Sequence, residues 1–325
     1  MKYIIITCDT EVGELAKESN ITDAFEIFIE GKVDGDVVGV DLINKISSDF
    51  GVKIDHFVDI YPFERYGERK FANLCEKIIK DGHNIHLHTH PLGKFSDNKK
   101  YMWEYSFEEQ VEIIKFGQEK IKQWVGIDVL VHRSGGYGAD NNTLRALKVN
   151  GILIDSSFFY NNSQCKLNYK YKNVPSLYND IFEIPITVYK IIKKSIFKKE
   201  KIIFRKLNFR YESNVSEILK VIDSSPDQCV FVIFLHSFNF LNLVYNFEIN
   251  KFVKINKNNR LILEYKNFLE RISLRKECCF TNILEICKKD IHFEDYIVTI
   301  EEKYKISSLV KFIKNKFISR NQEYV

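Results

Sequence analysis

Short apolar runs alternate along the chain with stretches in which apolar residues recur every three to four positions. The runs are YIIITC (3–8), KIDHFV (53–58), NIHLH (84–88), DVLVHR (128–133) and GILIDSS (151–157), each the length of a buried strand. Between them fall helical periods near 39–50, 68–81, 106–124 and 140–149, the third with Val111, Ile114 and Ile121 on one stripe. Repeated strand-then-helix order predicts an α/β fold, a parallel sheet or barrel with helices outside. The handedness of such units puts every strand's carboxyl end on one face, where barrels keep their chemistry.

From about 158 to 215 the pattern loosens into Asn, Tyr and Lys, which reads as an irregular insertion containing IFEIPIT (181–187) as one strand. A helix near 214–223, a buried strand CVFVIFLHSF (229–238), a helix near 259–275 and a last pair in CCFTNILEIC follow. One domain over 1–290 is expected, with 291–325 an appended tail. Within that tail, KYKISSLVKFIKNKFISR (303–320) spaces Ile306, Leu309, Val310, Ile313 and Phe317 as one face of a basic amphipathic helix. Such a helix can pack on the barrel or lie on anionic lipid, so peripheral membrane contact is an expectation for this segment.

Composition narrows the classes. No run approaches the roughly 18 apolar residues that a membrane span needs, and the apolar stretch at the amino terminus is too short for a signal-peptide core. The seven cysteines include adjacent Cys278 and Cys279 but no CxxC pair, which speaks against a disulfide framework and a thiolate zinc site. A cytoplasmic protein is expected, with the inner membrane face as an option. A net charge of +4 is too slight to imply nucleic acid as a partner.

Chemistry gathers at four predicted strand ends. Asp9 and Glu11 follow the first, HNIHLHTHP (83–91) surrounds the third, Arg133 ends the fourth and His236 a late one. Residues two apart share a strand face, so Asp9 projects with Glu11, and His86, His88 and His90 project together. With eight histidines in the chain, chance would produce an HxHxH pattern in roughly half a per cent of such sequences. Carboxylates and imidazoles facing one pocket suit a divalent metal, zinc above all.

The order of these segments resembles the polysaccharide deacetylases of the NodB homology type, carbohydrate esterase family 4. TCDTE, GHNIHLHTHP, HRSGGYGAD, LIDSS and FVIFLHSF stand in the order of that family's five motifs and span about residues 1–290. The resemblance implies a distorted (β/α)7 barrel and metal-assisted removal of an acetyl group from an acetylated sugar or glycan. It implies Asp9 as general base and Glu11 as a metal ligand, where aspartate is commoner in the family. It implies a histidine pair as further ligands: His88 with His90, or His86 in place of His88. Arg133 would orient the base, His236 would act as acid, Asp155 would tune that histidine, and the backbone N–H near Tyr137 would meet the oxyanion. Rival readings are another amide hydrolysis on the same barrel, such as a ureide or cyclic amide, and a non-catalytic carbohydrate-binding protein with a structural metal.

Overall fold

The computed structural model describes residues 1–303 apart from 20, 93, 97, 195–199 and 210–213. Seven parallel strands form its centre: β1 (Lys2–Thr10), β2 (Asp55–Asp59), β3 (Asn84–Thr89), β4 (Val131–Ser134), β5 (Ile154–Asp155), β6 (Ile181–Glu183) and β7 (Cys229–His236). They lie in the order β7-β1-β2-β3-β4-β5-β6, and the sheet curls on itself. The outer edges meet irregularly: the Leu207 N–H donates to Thr187, the Phe234 N–H donates to Leu207, and Asn208 bridges Phe234. The architecture is the (β/α)7 barrel.

Among the described residues the longer helices cover the outside: α1 (Val40–Asp49), α2 (Glu68–Lys80), α3 (Phe107–Val125), α4 (Asn141–Val149), α5 (Val215–Ser224) and α6 (Asn259–Ser273). Local chemistry fixes their ends. Ser106 accepts the Glu109 N–H at 3.2 Å while Glu109 accepts the Ser106 N–H at 2.7 Å, a reciprocal cap that starts α3. Gly126, with φ of 71°, stops it in a left-handed turn that a side chain would strain.

Every residue of β1 is buried, as a strand covered on both faces must be. Alternate residues face opposite ways. Tyr3, Ile5, Phe57, Val131, Val232 and Phe234 pack in one cluster inside the barrel, whereas Ile4, Ile6, Cys8, Phe231 and Ile233 pack outward against α1, α5 and α6.

Two expectations change here. IFEIPIT is not one strand: pairing ends at Glu183, and Pro185, which has no N–H to donate, separates it from a new strand at Val188–Lys194. That strand pairs with Lys201–Lys206 and Thr299–Lys303 in a small separate sheet. The body therefore does not end at 290, because Phe293, Tyr296, Val298 and Ile300 are buried and the Tyr296 hydroxyl donates to the Val230 carbonyl at 2.9 Å. The proposed amphipathic segment lies, from residue 304 on, outside the described residues. No helix among the described residues is long and apolar enough to cross a membrane.

Candidate metal and catalytic site

Strand parity assembles the site. Asp9 ends β1 in register with His236 of β7, and His88 of β3 pairs in register with Arg133 of β4. All four stand on the interior side, at the carboxyl ends. Arg133 is wholly buried and fully engaged. One terminal nitrogen donates to Asp9 Oδ1 at 2.7 Å and Thr7 Oγ1 at 3.2 Å; Nε and the other terminal nitrogen donate to the carbonyl and hydroxyl of Ser156, both at 3.0 Å. Its guanidinium carbon lies 3.9 Å from the centre of the Phe57 ring. A charge so deep in the barrel persists because every contact is polar, anionic or a π face.

Glu11 lies just beyond β1, its main chain fixed by Ser237, whose hydroxyl donates to the Glu11 carbonyl at 2.8 Å and accepts the Glu11 N–H at 3.3 Å. The His88 Nδ1 is 2.9 Å from the Arg133 carbonyl. A carbonyl only accepts, so the proton is on Nδ1 and the Nε2 lone pair points into the site. That Nε2 is 3.4 Å from Asp9 Oδ2 and 3.7 Å from Glu11 Oε2; His90 Nε2 is 2.9 Å from the same Glu11 oxygen. Burial alone would raise the Glu11 carboxyl, but His90 and then His88 hold it well below its ordinary range. Burial would likewise lower His88, yet Asp9 and Glu11 raise it.

Donor atoms of Glu11, His88 and His90 all lie within 4.8 Å of one another. One carboxylate oxygen and two imidazole nitrogens at that spacing are a donor set suited to one divalent ion, and the converging lone pairs need a positive charge among them. His236 Nε2 is 3.9 Å from the other Glu11 oxygen.

The remaining sequence candidates separate. His86 lies one side-chain layer below His88 and donates from Nε2 to Asp55 Oδ1 at 2.9 Å, deep in the barrel and outside the donor set. Asp55 also accepts from the Asn84 amide and the Ile283 N–H, so His86 belongs to a structural floor. Asp155 is not placed to tune His236. It accepts from His132 Nδ1 at 2.7 Å and from the Ser157 hydroxyl at 2.8 Å, and His132 Nε2 meets the Thr89 hydroxyl at 3.0 Å. His132 sits between Val131 and Arg133, so it faces outward, and Asp155 with it, away from the interior that holds His236.

Tyr137 occupies the turn after β4 with φ of 63°, and its hydroxyl accepts from Lys206 Nζ at 2.7 Å. The glycines around it permit close approach: a Cβ on Gly135 would lie 2.4 Å from His90 Nδ1. Sequence reasoning missed Lys206, Ser156 and Ser237. A lysine in a loosely patterned insertion carries no signal, and the two serines follow parallel strands that only the fold brings alongside Arg133 and Glu11.

No protein-family model matches the chain, and no curated protein matches it either. Solved structures do. A probable polysaccharide deacetylase from Pseudomonas aeruginosa PAO1 superposes with a TM-score of 0.52 at 12% identity, over 88% of this chain and 90% of the other. The allantoinase Puue superposes with a TM-score of 0.51 at 12% identity, over 88% and 89%. The chain shares their fold. A family 4 carbohydrate esterase from Streptomyces lividans, in complex with acetate, gives 0.42 at 11% identity over 86% and 92%.

Proposed function

We propose that the protein is a metal-dependent hydrolase that deacetylates an N-acetylated sugar in a glycan or glycan precursor. The observation that carries the reading is the Glu11–His88–His90 donor set beside an aspartate held by a buried arginine. It is supported by the five-motif order of the sequence and by a fold shared with a probable polysaccharide deacetylase.

Bound there, a divalent ion, zinc by donor type, would lower the pKa of a water toward 7 and polarise the scissile carbonyl. The chain's own residues do the rest. Arg133 takes Asp9 Oδ1 and leaves Oδ2 facing the site, so Oδ2 accepts the proton of the attacking water. His236 Nε2 returns a proton to the departing sugar nitrogen, which leaves poorly as an anion. The backbone N–H of Tyr137, at the glycine-lined turn, takes the developing oxyanion.

The test joins metal analysis to acetate release from N-acetylhexosamine glycans. One zinc per chain, lost in His88→Ala, and acetate release that falls about 10²- to 10⁴-fold in Asp9→Asn are expected. Stoichiometric metal with no acetate from any sugar sinks the reading in favour of a binding protein. Turnover of a ureide or cyclic amide instead favours the allantoinase-like chemistry of the shared fold.

A further inference from the structure

His236 is the first of six aromatic side chains that touch in turn. It stacks on Phe238 with 4.9 Å between ring centroids; Phe238 meets Phe28 at 5.9 Å, and Phe28 meets Phe252 at 5.3 Å. Phe252 meets Tyr245 at 4.9 Å and Tyr245 meets Phe247 at 4.7 Å. The last three belong to a hairpin, Leu241–Asn246 paired with Lys251–Lys257, that follows β7 directly. Phe247 at its tip is 44% exposed, and Ile249 and Val253 beside it are each 56% exposed. An apolar path thus runs from the proposed acid to the surface.

The path is hollow. Five of those rings, with Val12, Leu15 and Leu243, line a cavity of about 390 Å³ that also opens on Glu11. An apolar cavity of about 150 Å³ is enough to take benzene, so an acetyl methyl would leave this one mostly unfilled. Of its polar wall groups, Glu11 and His236 belong to the site above, Lys206 donates to Tyr137, the Tyr245 hydroxyl donates to Asn250, Glu14 pairs with Lys100, and Asn208 completes the set. A sugar needs many donors and acceptors from its site, and this wall offers chiefly carbon. A hydrocarbon needs only a wall of that kind.

We propose that this cavity and its aromatic path hold an apolar chain of the substrate. The molecule turned over is then an N-acylated sugar that carries a long apolar group near the scissile amide, not a bare acetylated glycan. The inference rests on the amide-hydrolase reading above: an apolar carrier would narrow its substrate class, and a longer acyl group would replace the acetyl named there. The apolar group is either an acyl chain longer than acetyl or an apolar carrier on the sugar. Both offer the same chemistry to the cavity.

Binding to the full-length chain, which needs neither turnover nor metal, tests this by calorimetry. One series lengthens the acyl group of glucosamine from N-acetyl through N-hexanoyl to N-decanoyl. The other keeps N-acetylglucosamine and lengthens an alkyl glycoside from methyl to octyl. Affinity is expected to rise in one series by about four-fold per buried methylene until the cavity is filled, and the series that responds identifies the source. Leu243→Trp, which narrows the cavity, should remove most of the gain. Phe247→Ser, at the exposed tip of the hairpin, should weaken only the longest ligands. Affinity independent of chain length in both series overturns the inference, as does a gain that neither variant changes. Chain-length dependence without hydrolysis of any member sinks the hydrolase reading and leaves the inference standing; hydrolysis without chain-length dependence does the reverse.

Discussion

At the scale of single residues the molecule depends on charges it has removed from water. Arg133→Met leaves Asp9 without its counter-charge and the Ser156 carbonyl and hydroxyl without donors. A loss of about 3 to 5 kcal/mol is expected, measured as a shift in urea midpoint with unchanged slope. Glu183 is the opposite case. Burial first, then the neighbouring Asp155 carboxylate, raises its carboxyl well above the ordinary 4.5, and Oε1 accepts the Phe158 N–H at 2.9 Å. A raised folded-state pKa means that the folded protein keeps this proton while the unfolded chain releases it. Stability therefore falls as pH climbs from about 4.5 toward the folded value, by about 1.4 kcal/mol per unit. Glu183→Gln should match the parent near pH 5 and be the more stable protein at pH 7.5 in urea titrations. Asp9, Glu11, Arg133 and the close-set histidines were legible in the sequence because residue type and spacing at strand ends announce them. The choice between His86 and His88 needed the depth of each along β3, and the failure of Asp155 to reach His236 needed the face of the sheet on which His132 stands.

At the scale of elements, the six helices and the long strands β1, β3 and β7 follow from apolar period, because the barrel buries them in the way that period describes. The short strands β5 and β6 were found within GILIDSS and IFEIPIT but came out too long, since two or three paired residues leave no period to bound them. The hairpin over 241–257 and the sheet around Val188–Lys194 were missed because their exposed lysines and asparagines look like loop. The same masking hid the role of 291–303. Ending the chain at residue 290 should be far more damaging than loss of a tail, because it strips Tyr296, Val298 and Ile300 from the core. Tyr296→Ala alone should cost about 3 to 5 kcal/mol and Tyr296→Phe about 1 kcal/mol, read from denaturant titrations. Equal stability of the 1–290 protein and the full chain would show that these contacts contribute nothing.

At the scale of the whole molecule, the ends of β1 and β3, distant in sequence, bring Glu11, His88 and His90 to one point, so an ion held there would fasten the two strands together. Zinc in excess should raise the melting temperature by a few degrees, since a ligand at a hundred times its Kd adds about 2.7 kcal/mol to the folded state. Glu11→Gln and His90→Ala should abolish the rise in differential scanning, and an equal rise in these variants would place the ion elsewhere. β1 carries a consequence for how the protein comes into being. Strand β7 occupies one of its edges along residues 2–9, and the other is divided between Cys278–Thr281 at the start and β2 at the end. During synthesis, a strand that carries three consecutive isoleucines, Ile4 to Ile6, must wait some 270 residues for its last neighbour to emerge. Slow refolding from urea and a strong dependence of yield on chain concentration are the expected signatures of so long a wait.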